Sequence, residues 1–285
     1  MKVLVTGSAG NIGRELVRSA RDAGHELCTF DRAAAPKDHA EEHHPGDLRD
    51  IAAIRRAVQG VEAVLHLGAL AHDGAGTPED VLSVNVQGTW NVLLACVEAE
   101  VKRVVFFSSV NALGYFGGRK EPETLPVDDA YPHHPRSPYQ LSKHLAEETC
   151  RSFSDQHGIV AIGLRPAFVS RPQHYERWRE RRGSERSEWG RGEFWAYVDI
   201  RDVCDAALQG LTAENVTYES FLLTADDTRS DTPTETLVRE HFPGVAWPKV
   251  SLEEYVKDQP HRSVVDCSRA KEVLGWQPKH SWRDE

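Results

Sequence analysis

The segment Gly7-Ser8-Ala9-Gly10-Asn11-Ile12-Gly13 constrains this chain more than any other. It follows the apolar run Val3–Thr6 and opens a helix-spaced segment, Asn11–Ala23. A tight strand-to-helix turn needs residues without a Cβ where the backbone folds close on itself. The helix that follows presents unpaired N–H groups and the positive end of its dipole, which together suit an anion. Glycines at these spacings, between a strand and a helix, predict a cradle for the pyrophosphate of a dinucleotide, formed by Gly7, Gly10, Asn11, Ile12 and Gly13.

Asp31 ends the next apolar run, Glu26–Phe30, at the distance where a carboxylate meets an adenosine ribose. A carboxylate there accepts hydrogen bonds from ribose hydroxyls and repels a 2′-phosphate, so NAD is favoured. Arg32 beside it would suit that phosphate, which keeps NADP as the lesser alternative. Asp47, in Gly46-Asp47-Leu48, either caps the following helix or binds adenine.

The first two thirds of the chain continue the alternation. Strand-like runs lie at Ala63–Leu67, Arg103–Ser108 and Ile159–Leu164, with helical spacing at Ile51–Gln59, Pro78–Ala99 and Ser137–His157. Apolar strands separated by helices predict an α/β fold, a doubly wound parallel sheet buried on both faces. Beyond Leu164 the pattern changes. Residues 165–194 lack a clean period, a strand–helix unit returns at Trp195–Leu211, and a further strand is expected at Ser220–Thr224. Five prolines from Pro233 onward limit the last helices to short ones. The expected division is a nucleotide-binding core, 1–164 plus 195–226, and a small C-terminal substrate lobe, 165–194 plus 227–285.

With 44 acidic and 34 basic residues in 285, the formal net charge is −10, which disfavours nucleic acid and anionic membrane as partners. The five cysteines are scattered and include no Cys-x-x-Cys pair, as expected for a reducing cytoplasm. Val3-Leu4-Val5 reaches Gly7 too soon for a signal sequence, and no apolar run approaches the roughly 20 residues that span a bilayer. A soluble, cytoplasmic protein is expected.

Tyr139-Gln140-Leu141-Ser142-Lys143 places a phenol and an ammonium at i and i+4, on one helix face. Ser137-Pro138 just before them reads as a helix start. A tyrosine of pKa about 10 is a poor base at neutral pH, and a neighbouring ammonium stabilises its phenolate. Proton transfer with a substrate hydroxyl then comes within range.

Taken together, the chain resembles the extended short-chain dehydrogenase/reductases, the group that contains nucleotide-sugar epimerases. The likeness runs through Thr6-Gly7-x-x-Gly10-x-x-Gly13, Asp47-Leu48, His66-Leu67-Gly68-Ala69, Asn85-Val86-Gln87-Gly88-Thr89, Phe107-Ser108-Ser109, Tyr139-x-x-x-Lys143, Leu164-Arg165-Pro166 and Tyr197–Val203. It implies a Rossmann-type sheet with NAD also lined by Leu48, Leu67, Gly68, Ala69 and Pro166. It makes Tyr139 the acid/base, with Lys143 also holding the nicotinamide ribose. Ser109 would hydrogen-bond the reacting oxygen, although a one-residue slip exchanges it with Ser108, and Asn85 would support the proton relay. Ser109-Val110-Asn111 stands where nucleotide-sugar dehydratases carry Thr-Asp-Glu, which argues against dehydration. Relatives that only sense the cofactor usually lose the tyrosine and lysine, so catalysis is favoured over an NAD-sensing scaffold.

Only about thirty residues separate Arg165 from Tyr197, where nucleotide-sugar epimerases carry a longer insert. That short segment and Ser108–Tyr115 resemble uronate dehydrogenases, which oxidise a free sugar acid. Val110 and Ala71-His72 depart from that subgroup, so nucleotide-sugar 4-epimerase and uronate or aldose dehydrogenase both stay open. Between Arg171 and Glu193 seven arginines alternate with five glutamates and two tryptophans. This is either an anion clamp or a solvated helix of Arg–Glu pairs. Arg177 and Trp178 are the candidates to meet substrate, with His72, Ser109 and Asn111 on loops at the strand ends. His39, His43 and His44 read as a polar surface loop, and the chemistry calls for no metal. A homodimer is expected through the long helices 78–99 and 137–157.

Overall fold

The computed structural model describes residues 1–34, 42–180 and 188–284; His39, Arg181, Arg182 and Arg186 lie outside these residues. The chain runs β1 (Lys2–Thr6), α1 (Asn11–Asp22), β2 (Glu26–Asp31), β3 (Glu42–Pro45), α2 (Ile51–Ala57), β4 (Ala63–His66), α3 (Pro78–Leu82), α4 (Gly88–Glu98) and β5 (Arg103–Phe107). It continues through α5 (Pro138–His157), β6 (Val160–Pro166), β7 (Phe168–Ser170), α6 (Pro172–Glu180), β8 (Tyr197–Asp199), α7 (Ile200–Gly210) and β9 (Tyr218–Leu223). Three short helices close it, α8 (Thr234–His241), α9 (Leu252–Val256) and α10 (Ser268–Leu274).

Seven strands form one sheet in the order β3-β2-β1-β4-β5-β6-β9. The ladders from β3 through β6 are parallel. Val3, Leu4 and Val5 on β1 and Ala63, Val64 and Leu65 on β4 have no solvent exposure, as strands covered on both faces require. Chain order reverses between β1 and β4, the position where an open α/β sheet takes a ligand beyond its strand ends.

Two stretches differ from the sequence-based reading. His43 and His44 do not lie in a loop: they are in β3, the sheet edge, paired in register with Thr29 and Phe30 of β2. A polar edge strand with a single neighbour carries no apolar alternation to reveal it. The helix expected over 78–99 is two helices joined by a π-helical turn, Ser83–Gln87.

The chain divides into two compact units. The first comprises residues 1–108, 136–164 and 204–220, and the second 109–135, 165–203 and 221–285. In the second unit, residues 109–135 share one apolar core with later segments: Tyr115, Phe116, Leu125 and Tyr131 pack with Trp195, Leu237, Phe242 and Val264. Its C-terminal segment is fixed by Asp202, which is fully buried in the first turn of α7. The Asp202 carboxylate accepts from the amides of Lys279 and His280, both at 3.1 Å, and from the His280 ring at 2.8 Å. Its backbone carbonyl accepts the buried Trp276 indole N–H at 2.8 Å. Among the described residues, no helix is long and apolar enough to cross a membrane.

Removing a buried carboxylate orphans every donor it serves. Asp202→Ala is therefore expected to lose about 3 kcal/mol of stability, read by denaturant unfolding. A change below about 1 kcal/mol would show that the segment is held by apolar packing alone.

Candidate active site

The turn after β1 is shaped by steric demands on its glycines. Gly7 has φ +71°, and a Cβ on it would come within 2.7 Å of the Gly68 amide nitrogen. A Cβ on Gly13 would lie 2.2 Å from the Gly7 carbonyl oxygen. Gly68, in the turn after β4, is equally confined, because its Cβ would meet the Leu48 side chain at 2.7 Å. Leu48 is thus a buried wedge beneath the turn that carries Leu67, Gly68 and Ala69.

This cradle suits a dinucleotide pyrophosphate. Gly10 is the N-cap of α1 and provides no side-chain cap, so no side chain competes for the first-turn amides of Asn11, Ile12 and Gly13. Asp31 stands at the C-terminal end of β2, its two oxygens accepting from the amides of Ala9, at 3.0 Å, and Ala33, at 2.9 Å. The carboxylate is therefore tied to the glycine turn itself, with exposed Arg32 beside it. Asp47 is not a helix cap. Asp50 caps α2, accepting from Ala52 and Ala53, while Asp47 chelates the Arg49 guanidinium. The hydrogen bonds from Arg49 hold the Asp47 carboxyl below the usual carboxylate range.

Two residues that follow β4, Asp73 and Asn85, connect to the helix carrying Tyr139. Asn85 lies in the π-helical turn, 2% exposed, and its side chain makes three hydrogen bonds. Its oxygen accepts from the Leu70 amide at 2.7 Å, and its nitrogen donates to the Leu70 carbonyl at 3.0 Å and the Ser142 hydroxyl at 2.9 Å. Ser142 in turn donates to the Tyr139 carbonyl. Asp73, in the loop after β4, accepts from the Tyr139 amide at 2.8 Å. Asp73 thus binds the first turn of α5 and Asn85 the turn that follows, in a helix that begins at the N-cap Ser137 with Pro138 in its first turn. Asp73 and Ser142 escaped the sequence reading, because nothing local marks them as partners of this helix. His72 is exposed beside Asp73.

Lys143 is 6% exposed, with its Nζ donating to the Phe107 carbonyl at 2.7 Å and lying 5.9 Å from the Tyr139 ring centre. Burial brings the ammonium down to about 8, against the opposing pull of Glu147. It remains largely charged at neutral pH, as support for a phenolate requires. His66, at the end of β4, is buried, with Nδ1 2.7 Å from the Thr6 hydroxyl and Nε2 3.1 Å from that of Thr89. Burial first, then the Lys143 charge, pushes its pKa down to about 3.

The two serines after β5 have different duties. Ser108 donates to buried Glu147 at 2.5 Å, while the Ser109 oxygen accepts from the Asn111 amide at 3.2 Å and its side-chain nitrogen at 3.3 Å. Pro166, at the end of β6, is buried. The arginine segment contains α6, whose Tyr175 and Trp178, three residues apart, face inward. Trp178 offers no open indole face to a substrate. It is 4% exposed, edge-on to Tyr197 at 5.1 Å and Trp282 at 6.0 Å, so packing is its duty. Arg177 points to solvent on the same helix, and its charge with that of Arg171 adds to burial in keeping the His174 imidazole neutral. Among the described residues, no cluster of His, Cys, Asp and Glu is placed to hold a metal.

A parallel sheet with a glycine cradle at its switch point, followed by a Tyr–Lys pair on one helix, defines a dinucleotide-binding α/β protein of the extended short-chain type. Residues 3–223 match the model of the NAD dependent epimerase/dehydratase family, and the chain belongs to that family. A uronate dehydrogenase of Pseudomonas syringae pv. tomato is 35% identical over 167 residues, 58% of each chain. An L-arabinose 1-dehydrogenase (NAD(P)(+)) of Haloferax volcanii is 32% identical over 179 residues, 59% of this chain and 67% of that protein. Among solved structures, the UDP-glucose 4-epimerase of Thermotoga maritima with UDP-glucose aligns at TM-score 0.72 and 25% identity, covering 99% of this chain and 94% of its own. A short-chain dehydrogenase/reductase superfamily protein of Agrobacterium tumefaciens with bound NAD aligns at 0.74 and 25%, with the same coverage.

His66 gives this site a pH signature. The folded protein keeps its imidazole neutral far below 6.5, where the unfolded chain takes up a proton. The stability this confers is complete above that pH and is lost as pH falls toward about 3, by up to about 1.4 kcal/mol per unit. Unfolding curves from pH 7 to 4 are expected to be steeper in pH for wild type than for His66→Gln. Parallel curves would mean that the ring protonates in the folded protein.

Proposed function

We propose that the chain is an NAD-dependent oxidoreductase acting at a hydroxyl-bearing carbon of a sugar or sugar-acid-like substrate. The observation that carries this reading is the buried Lys143 ammonium, anchored on the Phe107 carbonyl one helical turn from Tyr139. Gly7, Gly10, Asn11, Ile12 and Gly13 take the pyrophosphate, Asp31 the adenosine ribose, and Leu48, Leu67, Gly68, Ala69 and Pro166 line the cofactor. When bound, NAD supplies the hydride acceptor. Tyr139 takes the proton of the substrate hydroxyl, with Lys143 favouring its phenolate. Ser109 hydrogen-bonds the reacting oxygen, a reading supported by the engagement of Ser108 with Glu147. Asn85 acts by fixing the Tyr139 turn, and His72, Asn111 and Arg177 are the substrate contacts.

Release of the oxidised product makes the enzyme a dehydrogenase; re-reduction from the other face makes it an epimerase. The dehydrogenase is favoured by the short segment between Arg165 and Tyr197 and by the uronate and arabinose dehydrogenases among its relatives. The test is a panel of uronates, aldoses and nucleotide sugars with NAD and NADP, read by absorbance at the reduced nicotinamide and by product analysis. Net reduction of added NAD by a free sugar or sugar acid is expected. Tightly retained NAD with inversion of a nucleotide sugar would replace it with the epimerase, and cofactor binding without turnover would indicate a sensing scaffold. Tyr139→Phe is expected to lower turnover at least about 100-fold, and near-normal turnover would remove Tyr139 from the mechanism.

We also propose a cytoplasmic homodimer through α4 and α5. Trp90 on α4 and, four residues apart on α5, Leu141 and Leu145 are exposed at 50, 38 and 36%, which favours burial against a second copy. Light scattering is expected to give a dimer for wild type and a folded monomer for Trp90→Asp. A monomeric wild type would defeat the assignment.

A further inference from the structure

Beneath the Tyr–Lys pair lies a buried carboxylate with no part in the chemistry above. Glu147 is one helical turn past Lys143 on α5 and only 1% exposed. Its Oε1 accepts the Ser108 hydroxyl at 2.5 Å, just beyond β5, while Lys143 donates to the carbonyl of the preceding residue, Phe107. Helix α5 is therefore fastened to consecutive residues at the carboxyl end of β5 by an acid and a base. A buried carboxylate is retained at a cost unless it answers a positive charge or a set of donors.

The groups around Lys143 show which charge it answers. On α5 these are Tyr139, Glu147 and Cys150; β4 contributes His66, β5 the Phe107 carbonyl and the residue just beyond it the Ser108 hydroxyl, neither of which titrates in the working range. Cys96 on α4 stands behind Cys150. Burial raises both thiols and depresses His66, leaving all three neutral near pH 7. Glu147 is the one acid among these groups whose charge opposes the loss of the Lys143 proton.

Resting on the proposed roles of Tyr139 and Lys143, we propose that Glu147, anchored by Ser108, is a positioning residue that serves as the buried counter-charge of Lys143. It touches neither substrate nor cofactor. It acts by keeping Lys143 an ammonium, and through that ammonium it sets the pH at which Tyr139 becomes a phenolate.

The test uses the full chain loaded with NAD and follows phenolate formation by ultraviolet difference absorbance, with a Tyr139→Phe protein subtracted to isolate the Tyr139 signal. Glu147→Gln keeps the shape and the Ser108 partner while removing the charge. Lys143 then loses its proton at lower pH, and the Tyr139 titration is expected to move up by about one pH unit or more. Glu147→Asp is expected to restore most of the difference. Ser108→Ala, which frees the carboxylate without deleting it, is expected to shift the midpoint in the same direction by less, and serves if Glu147→Gln does not fold. An unmoved Tyr139 midpoint in a folded Glu147→Gln or Ser108→Ala protein overturns the proposal. Wild-type titration does not require substrate turnover, so failure of the sugar panel and failure of this counter-charge are separate results.

Discussion

The closest constraint in the first unit is the contact between the turns after β1 and β4. A Cβ on Gly7 would come within 2.7 Å of the Gly68 amide nitrogen, and one on Gly68 would meet the Leu48 side chain at 2.7 Å. The turn after β1 opens α1 at Gly10, which has no side chain to cap it, and its Ala9 amide donates to Asp31 at 3.0 Å. The turn after β4 starts the loop from which Leu70 and Asp73 reach Asn85 and Tyr139. Parallel strands supply this geometry because both turns leave the same edge of the sheet, at the point where strand order reverses.

The polar groups behind that edge solve a problem that the apolar core creates. Lys143 sits among residues that would prefer it neutral, and burial pulls its pKa down. The Phe107 carbonyl and the Glu147 charge work in the other direction, and His66 avoids adding a second cation by staying neutral between Thr6 and Thr89. An ammonium held near 8 is charged at neutral pH yet desolvated enough to act strongly on a neighbour. Burial and counter-charge together, rather than either alone, make the Tyr–Lys pair suited to proton transfer.

The parts legible in the sequence are those in which local chemistry and tertiary role coincide. The glycines of the first turn, Asp31 and the Tyr139–Lys143 spacing each carry their meaning within a few residues. The strands β1, β4, β5 and β6 read directly as apolar runs because both faces are covered. β3 did not, since an edge strand made of Glu42, His43, His44 and Pro45 resembles a polar loop. The π-helical turn was equally silent: Asn85 is recognisable by motif, but its three bonds depend on Leu70 and on Ser142, 57 positions away. Asp47 and Asp50 show the limit at the finest scale, where two aspartates three residues apart compete for one cap and only the backbone conformation decides.

Trp178 carries the same lesson into the second unit. A tryptophan flanked by arginines looks like a ligand-stacking surface, yet Tyr175 and Trp178 form the inward stripe of α6 and pack against Tyr197 and Trp282. The alternation of arginine and aromatic residues is thus partly the ordinary amphipathy of a short helix lying on a core. Arg177 lies on the outward face of the same helix and is exposed. The two buried rings settle which face of α6 turns outward, whereas the exposed Arg177 side chain keeps its own rotamer freedom.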